Sequence, residues 1–263
     1  MSWMKALENY ARTAPEELPK DILLSSTEHT VTVKDAYPKA MYHYLVLPRL
    51  PSSLVSSSSR ISSLQSLLSG DKEDALRVVK ILGDDAELAK SHILEEMRKK
   101  HGFEWDVNIG FHAVPSMDHL HTHVISSDLI SPALKNKKHY NSFHPTLGFF
   151  LHLNDVLEWL TEEKLAGKLH INSAKYEGLL KTDLACFKCD EPFKQIPRLK
   201  EHLEDEWKKE KRTAVKQKAM KRVHGTDDGE AQRPAKKTKL ASTDETPRTP
   251  NKLSEANKAE SLA

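Results

Sequence analysis

The stretch Asp118–His119–Leu120–His121–Thr122–His123–Val124–Ile125 carries three histidines at alternate positions and ends in two β-branched apolar residues. Because a β-strand sends every second side chain to the same face, a strand over His119–Ile125 would place the three imidazoles in one row. Such a row can supply a nucleophile, a proton carrier and an orienting group. Two other interpretations stay open: a chance grouping in a chain with 14 histidines, and a zinc site, because alternating imidazoles can bind metal.

The segments on either side of this stretch predict further strands. Thr30–Val33 alternates between polar and apolar residues, and Tyr42–Leu47 is an apolar run that ends at a proline. Val107–Ala113 is expected to pair with His119–Ile125 in an antiparallel hairpin that turns at Pro115.

Helical patterns flank the predicted strands. Residues 1–12 predict a short helix, residues 71–100 predict one or two helices interrupted near Gly83, and Asn154–Leu165 predicts a helix with Asn154 as its N-cap. The serine-rich residues 51–70 show no strong period and predict a loop or a poorly ordered insertion. The fold class is therefore α+β, an antiparallel sheet with flanking helices.

Composition divides the chain of 263 residues into three parts. Net charge is only +2, but lysine and arginine outnumber acids about three to one over residues 208–240, which favours a polyanionic partner. No stretch approaches the ~20 apolar residues of a membrane span, and the N-terminus lacks the apolar core of a signal peptide, so we expect a soluble intracellular chain. The predicted parts are a catalytic domain over 1–175, a small zinc finger over 176–212 and a mostly disordered basic tail over 213–263, with a helix that extends into 207–222.

A second cluster of functional residues combines two cysteines with a histidine and a glutamate. Cys186 and Cys189 are the only cysteines, and His202 and Glu206 follow at the spacing of a zinc finger. Thiolate, imidazole and carboxylate are all zinc ligands, so the four residues predict one structural zinc ion, with glutamate where a second histidine is usual. The alternative is a chance pair of cysteines without metal.

The histidine pattern resembles that of the histidine triad superfamily, and its flanks resemble the aprataxin branch. The resemblance rests on Lys34–Asp35–Ala36–Tyr37–Pro38–Lys39–Ala40–Met41–Tyr42–His43–Tyr44–Leu45–Val46–Leu47–Pro48, on Pro115–Ser116–Met117, and on Ser131–Pro132–Ala133–Leu134–Lys135–Asn136–Lys137–Lys138–His139–Tyr140–Asn141–Ser142–Phe143. It covers about residues 1–207 and includes no forkhead-associated domain, so we expect a short, fungal-type member. A zinc finger at the position of Cys186 is also a feature of this family.

The resemblance implies a role for each matching residue. His121 would be the nucleophile, His119 and His123 would orient it and bind phosphate oxygens, and His43 would act with them. The expected nucleotide- and phosphate-binding residues are Asp35, Tyr37, Pro38, Lys39, Ser116 and Met117. No catalytic metal is expected, since neutral imidazole can both attack phosphorus and leave again. His112 stays open between the site and the sheet interior.

Three features direct the expected activity to DNA: the zinc module, the lysine run after the triad, and an N-terminal helix that aligns with the residues that stack on a DNA end in aprataxins. The expected DNA-binding residues are Trp3, Leu7, Lys137, Lys138 and His139. The expected function is removal of AMP from 5′-adenylated DNA in single-strand break repair, through a histidine–AMP intermediate, by a monomer that binds DNA ends independently of sequence and releases AMP. GMP linked to a 3′-phosphate is an additional expected substrate.

Two alternative functions stay open. One is a general histidine triad hydrolase of free nucleotides or adenosine phosphoramidates, and the other is a zinc-finger nucleic-acid-binding protein with an inactive triad. The basic segment Arg233–Pro234–Ala235–Lys236–Lys237–Thr238–Lys239–Leu240 resembles a nuclear localisation signal. We therefore expect a nuclear protein, with the cytoplasm as a second location.

Overall fold

The computed structural model describes residues 3–224, and within this range the side chains of residues 4–218 and 220. The strands are β1 (Leu23–Ser26), β2 (Thr30–Lys34), β3 (His43–Pro48), β4 (Val107–His112), β5 (Thr122–Ser126), β6 (Phe150–His152), β7 (Leu184–Ala185) and β8 (Pro192–Phe193). The α-helices are α1 (Ala6–Arg12), α2 (Leu64–Leu68), α3 (Lys72–His101), α4 (Lys137–Phe143), α5 (Leu153–Thr161), α6 (Ser173–Leu179) and α7 (Ile196–His224). Short 3₁₀ turns lie at Trp3–Lys5, Pro15–Glu17, Ser58–Ile61 and Glu163–Leu169.

A six-stranded sheet in the order β1-β2-β3-β5-β4-β6 forms the centre of the fold, and its neighbouring strands run antiparallel. The predicted α+β class is confirmed. On the central strand β5, His123 lies opposite Leu45 of β3 and Gly110 of β4. This register matters for the site, because residues two positions from Leu45 and Gly110 face the same side of the sheet as His123.

Helix α3 covers one face of the sheet as a single continuous helix of 30 residues. Asp71 caps its start and Gly102, with φ 78°, ends it. The predicted interruption at Gly83 is wrong. A Cβ atom there would lie 3.0 Å from Leu153 of α5, so the glycine allows two helices to pack closely, and that packing offsets its low helix propensity of about 1 kcal/mol.

The serine-rich segment 51–70 is ordered, so the prediction of a poorly ordered insertion is wrong. Ile61 and Leu64 are almost fully buried in the core beside α3. The backbone N–H groups of His119 and Leu120 donate to the carbonyls of Ser62 (2.9 Å) and Ile61 (2.8 Å). Apolar side chains among the serines therefore anchor this segment in the core, and its backbone carbonyls hold the histidine stretch.

One helix boundary also differs from the predictions. Helix α5 begins at Leu153 with His152 at its N-cap position and ends at Thr161, so Asn154 is not the cap. Helix α7 continues past residue 212 to His224, which confirms the predicted helix over 207–222. The predicted disordered tail beyond that helix, with its basic segment, lies outside the described residues.

The finger part consists of the β7–β8 hairpin and the first turns of α7. Leu199 and Leu203 of α7 are buried in a cluster with Ile125 of β5 and Phe143 of α4. The finger therefore shares a hydrophobic core with the sheet. Within the described residues, no helix is long and apolar enough to cross a membrane.

Candidate functional site

The three histidines do not form a single row, which corrects the prediction of a strand over His119–Ile125. Strand β5 begins only at Thr122, and His119 has a left-handed backbone with φ 82°. Its ring turns away and donates from Nε2 to the carbonyl of Pro48 at 2.7 Å. His121 and His123 stay together, with ring centroids 4.8 Å apart. The expected phosphate contact by His119 is therefore not supported.

His121 has the protonation state that a nucleophile requires. Its Nδ1 lies 2.8 Å from the carbonyl oxygen of His119, and a carbonyl only accepts, so Nδ1 carries the proton. His121 is 8% exposed, and this burial lowers its pKa below the usual value. The hydrogen bond to the His119 carbonyl raises the pKa, but burial has the larger effect. The imidazole is therefore neutral near pH 7, with its lone pair on Nε2.

His43 and His123 form a buried pair that leaves one donor unused. The backbone N–H of Lys39 donates to His43 Nδ1 at 3.3 Å, so the proton of His43 lies on Nε2 and points to His123 Nδ1, 3.0 Å away. The proton of His123 then lies on Nε2, which is buried without a hydrogen-bond partner among the described residues. Burial lowers the pKa of His43 to about 4, so the pair stays neutral. His123 therefore holds a donor that no described residue uses.

His112 belongs to the site rather than only to the sheet interior. It lies two residues after Gly110, and its ring centroid is 4.3 Å from that of His123. Burial, with the nearby imidazoles adding to it, lowers the pKa of His112 well below its usual value. The alternation Gly110–His112 in an antiparallel partner of the histidine strand is the sequence signal that could have placed it.

A carboxylate and a lysine lie beside this cluster. Asp35 Oδ2 is 3.5 Å from His43 Nδ1, and Asp35 Oδ1 accepts from the backbone of Tyr37 at 2.7 Å. The Lys39 amine donates to the Tyr37 carbonyl, and burial lowers the pKa of Lys39 while the Asp35 charge opposes this shift. Tyr37 itself is 73% exposed. The predicted phosphate-binding block thus places one carboxylate and one amine at the histidines.

A cleft of about 930 Å³ opens over His121 and His123. Of the residues predicted for the site, Leu7, Asp35, Tyr37, Lys39, Ser116, Met117, His121, His123, Lys138 and His139 line it. Four residues that were predicted for the site do not line the cleft: Pro38, His43, His119 and Lys137. Lys34 and Lys135 add two further amines to its walls, against the carboxylates of Asp35 and Glu177. The cleft therefore suits an anionic ligand.

The N-terminal turn lies next to the histidine stretch, because the Asp118 N–H donates to the Met4 carbonyl at 2.9 Å. Leu7 is 3% exposed and packs in a core cluster with Val33 and Leu45, so its predicted stacking on a base pair is not supported. The structure describes the backbone of Trp3 but not its side chain. Met4, which the sequence did not single out, is 44% exposed.

The lysine run after the triad divides its residues between two surfaces. Lys137 pairs with Asp183 at 2.9 Å. Lys138 and His139 line the cleft, and His139 Nδ1 accepts from the backbone of Lys135 at 3.1 Å. Lys138 and His139 can therefore reach a bound phosphate, whereas Lys137 already has a carboxylate partner.

Three of the four predicted metal ligands converge in the finger. One donor atom each of Cys186, Cys189 and His202 lie within 4.8 Å of one another. His202 Nδ1 is 3.4 Å from a carboxylate oxygen of Glu191, an arrangement that fixes the orientation of zinc-binding imidazoles. Thiolate and imidazole together fit zinc better than a harder cation. Glu206 is instead bonded to Lys209 at 2.7 Å.

An antiparallel sheet with a His–x–His–x–His stretch at its centre, and with a free imidazole nitrogen facing a basic cleft, defines a histidine triad protein. Two family descriptions match the chain: "C2HE / C2H2 / C2HC zinc-binding finger" over residues 146–209 and "Scavenger mRNA decapping enzyme C-term binding" over residues 9–139. The finger match begins well before the predicted boundary at residue 176, consistent with a finger that shares its core with the sheet.

Similarity to known proteins narrows this class. Aprataxin of Gallus gallus is 37% identical over 207 residues, which cover 79% of this chain and 56% of that protein. An aprataxin-like protein of Saccharomyces cerevisiae is 33% identical over 222 residues, covering 79% of this chain and 97% of that protein. The solved structure of Hnt3 in complex with DNA and guanosine has a TM-score of 0.58 at 26% identity, covering 79% of this chain and 97% of that one. The chain belongs to the aprataxin family, and it spans just over half the length of the chicken relative.

Proposed function

We propose that this protein removes AMP from 5′-adenylated DNA ends left by abortive ligation. The observation that carries the proposal is the unprotonated Nε2 of His121 at a basic cleft. The solved complex of the similar Hnt3 with DNA and guanosine supports nucleic acid as the substrate class. It also supports the extension of the proposal to GMP linked to a 3′-phosphate, because the bond to be broken is of the same kind.

The proposed reaction has two displacements at one phosphorus atom. His121 Nε2 attacks the AMP phosphorus, the bond from phosphorus to the bridging oxygen breaks, and the DNA leaves with its 5′-phosphate. Water then attacks the phosphorus of the histidine–AMP intermediate, which releases AMP and restores His121. The attack needs no prior deprotonation, because the pKa of His121 is already lowered by burial.

The residues around the nucleophile would stabilise the negative charge that is shared by the phosphate oxygens. The Nε2–H of His123 has no competing partner among the described residues, and the Lys39 amine lies on the same cleft. Preorganised donors in a buried site stabilise such charge more than water does. Asp35 is held by the Tyr37 backbone with one oxygen towards His43, and we propose that it accepts from a ribose hydroxyl.

DNA would be bound outside this pocket by the rim of the cleft. Lys138 and His139 are placed to meet backbone phosphates. The exposed Met4 lies on the N-terminal turn that adjoins the histidine stretch, and Trp3 on the same turn remains the predicted stacking residue.

The finger would hold one structural zinc ion through Cys186, Cys189 and His202. We propose Glu206 as the fourth ligand, since it lies one helical turn after His202 and would need only to leave Lys209. Zinc would hold the finger folded and take no part in the hydrolysis. We further propose a monomer that enters the nucleus through the basic segment 233–240.

The test offers the protein two substrates, nicked DNA with a 5′-adenylate and a small adenosine phosphoramidate. The proposal expects 5′-phosphate DNA and AMP as products, a histidine–AMP adduct by mass spectrometry, and no turnover by His121→Ala. His170→Ala changes an exposed histidine away from the cleft and serves as the matched control. Hydrolysis of the small substrate alone indicates a general nucleotide hydrolase, and DNA binding without turnover indicates a binding protein.

A further inference from the structure

Helix α4 separates the finger from the histidines and contacts both. It has only seven residues, too few for a helix to be stable without tertiary contacts. Its position is therefore set by the groups that its side chains bind on either side.

Two adjacent residues attach α4 to the finger side. Tyr140 is fully buried; its hydroxyl donates to the carbonyl of Ala185 at 2.8 Å and accepts from the N–H of Phe187 at 3.1 Å, on either side of Cys186. Asn141 is 1% exposed, and its amide nitrogen lies 3.4, 3.2 and 2.8 Å from the carbonyl oxygens of Leu179, Leu180 and Thr182. Buried polar groups that are bound in this way resist displacement, because each would otherwise be left unpaired.

One turn further on, Phe143 contacts the catalytic side. Its ring lies edge-on to two imidazoles. The ring centroids of Phe143 and His43 are 5.1 Å apart with an angle of 83° between the ring planes, and for His123 the values are 5.0 Å and 90°. Its centroid is also 4.5 Å from that of His112. A single side chain, 5% exposed, thus packs against three imidazoles of the cluster. These edge-to-face contacts constrain the ring orientations directly.

We propose that Phe143 is a positioning residue for the histidine cluster and that Tyr140 and Asn141 hold it in place from the finger. The finger then supports the chemical step itself, in addition to any contact it makes with DNA. The inference rests on the proposed hydrolase function, because it concerns the orientation of His123 and His43 towards the phosphorus. Displacement of catalytic groups by about 1 Å can lower a rate by up to about 100-fold.

A small substrate separates this effect from DNA binding by the finger. An adenosine phosphoramidate occupies only the cleft, so loss of a finger–DNA contact would leave its hydrolysis unchanged. We expect Tyr140→Phe, which removes only the bridging hydroxyl, to lower kcat for this substrate about tenfold, with KM changed by no more than about twofold. Phe143→Leu should lower kcat at least as much. The double variant should resemble Phe143→Leu alone, because both changes act through one contact.

The matched control is Asp183→Asn. It breaks the exposed ion pair between Lys137 and Asp183, which also joins α4 to the finger side but which is worth little in water. This variant should keep the wild-type kcat. Thermal unfolding followed by circular dichroism establishes that each protein is folded at the assay temperature.

Histidine-ring NMR gives a readout that does not depend on turnover. Tyr140→Phe and Phe143→Leu should both shift the ring resonances of His43, His112 and His123, whereas Asp183→Asn should not. Folded variants with unchanged kcat and unchanged ring resonances would overturn the proposal, and so would additive losses in the double variant. If the wild-type protein hydrolyses neither substrate, the proposed function fails, while the NMR comparison still decides the positioning role.

Discussion

When the pH falls, the free energy of unfolding of the His119→Gln variant should decrease less than that of the wild-type protein. The His119 ring is 4% exposed and donates from Nε2 to the carbonyl of Pro48. Burial lowers its pKa from 6.5 to about 4, although the bond to the carbonyl opposes the shift. A glutamine amide can donate to the same carbonyl but does not take up a proton in this range, so the substitution removes the titration and keeps the hydrogen bond.

The magnitude follows from the difference between the two pKa values. Between about pH 4 and 6.5 the unfolded chain binds the His119 proton and the folded chain does not, so falling pH favours unfolding. The stabilising contribution is complete above 6.5 and is lost as the pH falls towards 4. A pKa difference of about 2.5 corresponds in full to about 3.4 kcal/mol, and the part lost between about pH 7 and pH 5 is about 1.8 kcal/mol.

The assay is urea unfolding of both proteins, saturated with zinc, at about pH 7 and about pH 5. The wild-type free energy of unfolding should fall by about 1.8 kcal/mol more than that of His119→Gln. All other titrating groups, including those of the finger, are common to both proteins and cancel. His170→Gln, at an exposed position, should keep the wild-type loss. If His119→Gln loses as much stability as the wild type, His119 is not a buried neutral histidine and the reasoning is refuted.

Four further outcomes are expected. The value of kcat/KM for a small adenylate should rise with pH through a midpoint below 6.5 and then level off, because burial lowers the pKa of His121; a midpoint at or above 6.5 would contradict its burial. Gly110→Ala should destabilise the protein by about 1–3 kcal/mol in urea unfolding, since the new Cβ would lie 2.3 Å from the carbonyl oxygen of Leu151; an unchanged midpoint refutes this contact. Glu206→Ala should weaken zinc binding, measured by competition with a chromophoric chelator, by about tenfold or more, and equal affinity would exclude Glu206 as a ligand. Met4→Ala should raise KM for adenylated nicked DNA and leave KM for the phosphoramidate unchanged. If the variant and the wild type have the same KM for DNA, Met4 does not contact the DNA.

The sequence predicted the class of fold, because strand alternation is a local property, and its resemblance to a known family predicted ten of the residues that line the cleft. It failed where a distant segment decides the backbone. His119 leaves the strand conformation because its N–H and ring bind Ser62 and Pro48, both far away in sequence. Gly83 does not interrupt α3, because the gain from close packing on Leu153 exceeds the small cost of glycine in a helix.

By itself, the sequence determined which chemistry-bearing residues are present and how they are spaced: the three histidines, the block from Asp35 to His43, and the Cys–Cys–His set of the finger. Only the tertiary structure decided which of these residues meet. It turned the ring of His119 away and brought His43 and His112 to His123. It also packed Phe143 against the rings of His43, His112 and His123. It also decided that His121 is neutral, with its lone pair on Nε2, because a pKa and a tautomer depend on burial and on hydrogen-bond partners, and neither is encoded in spacing along the chain.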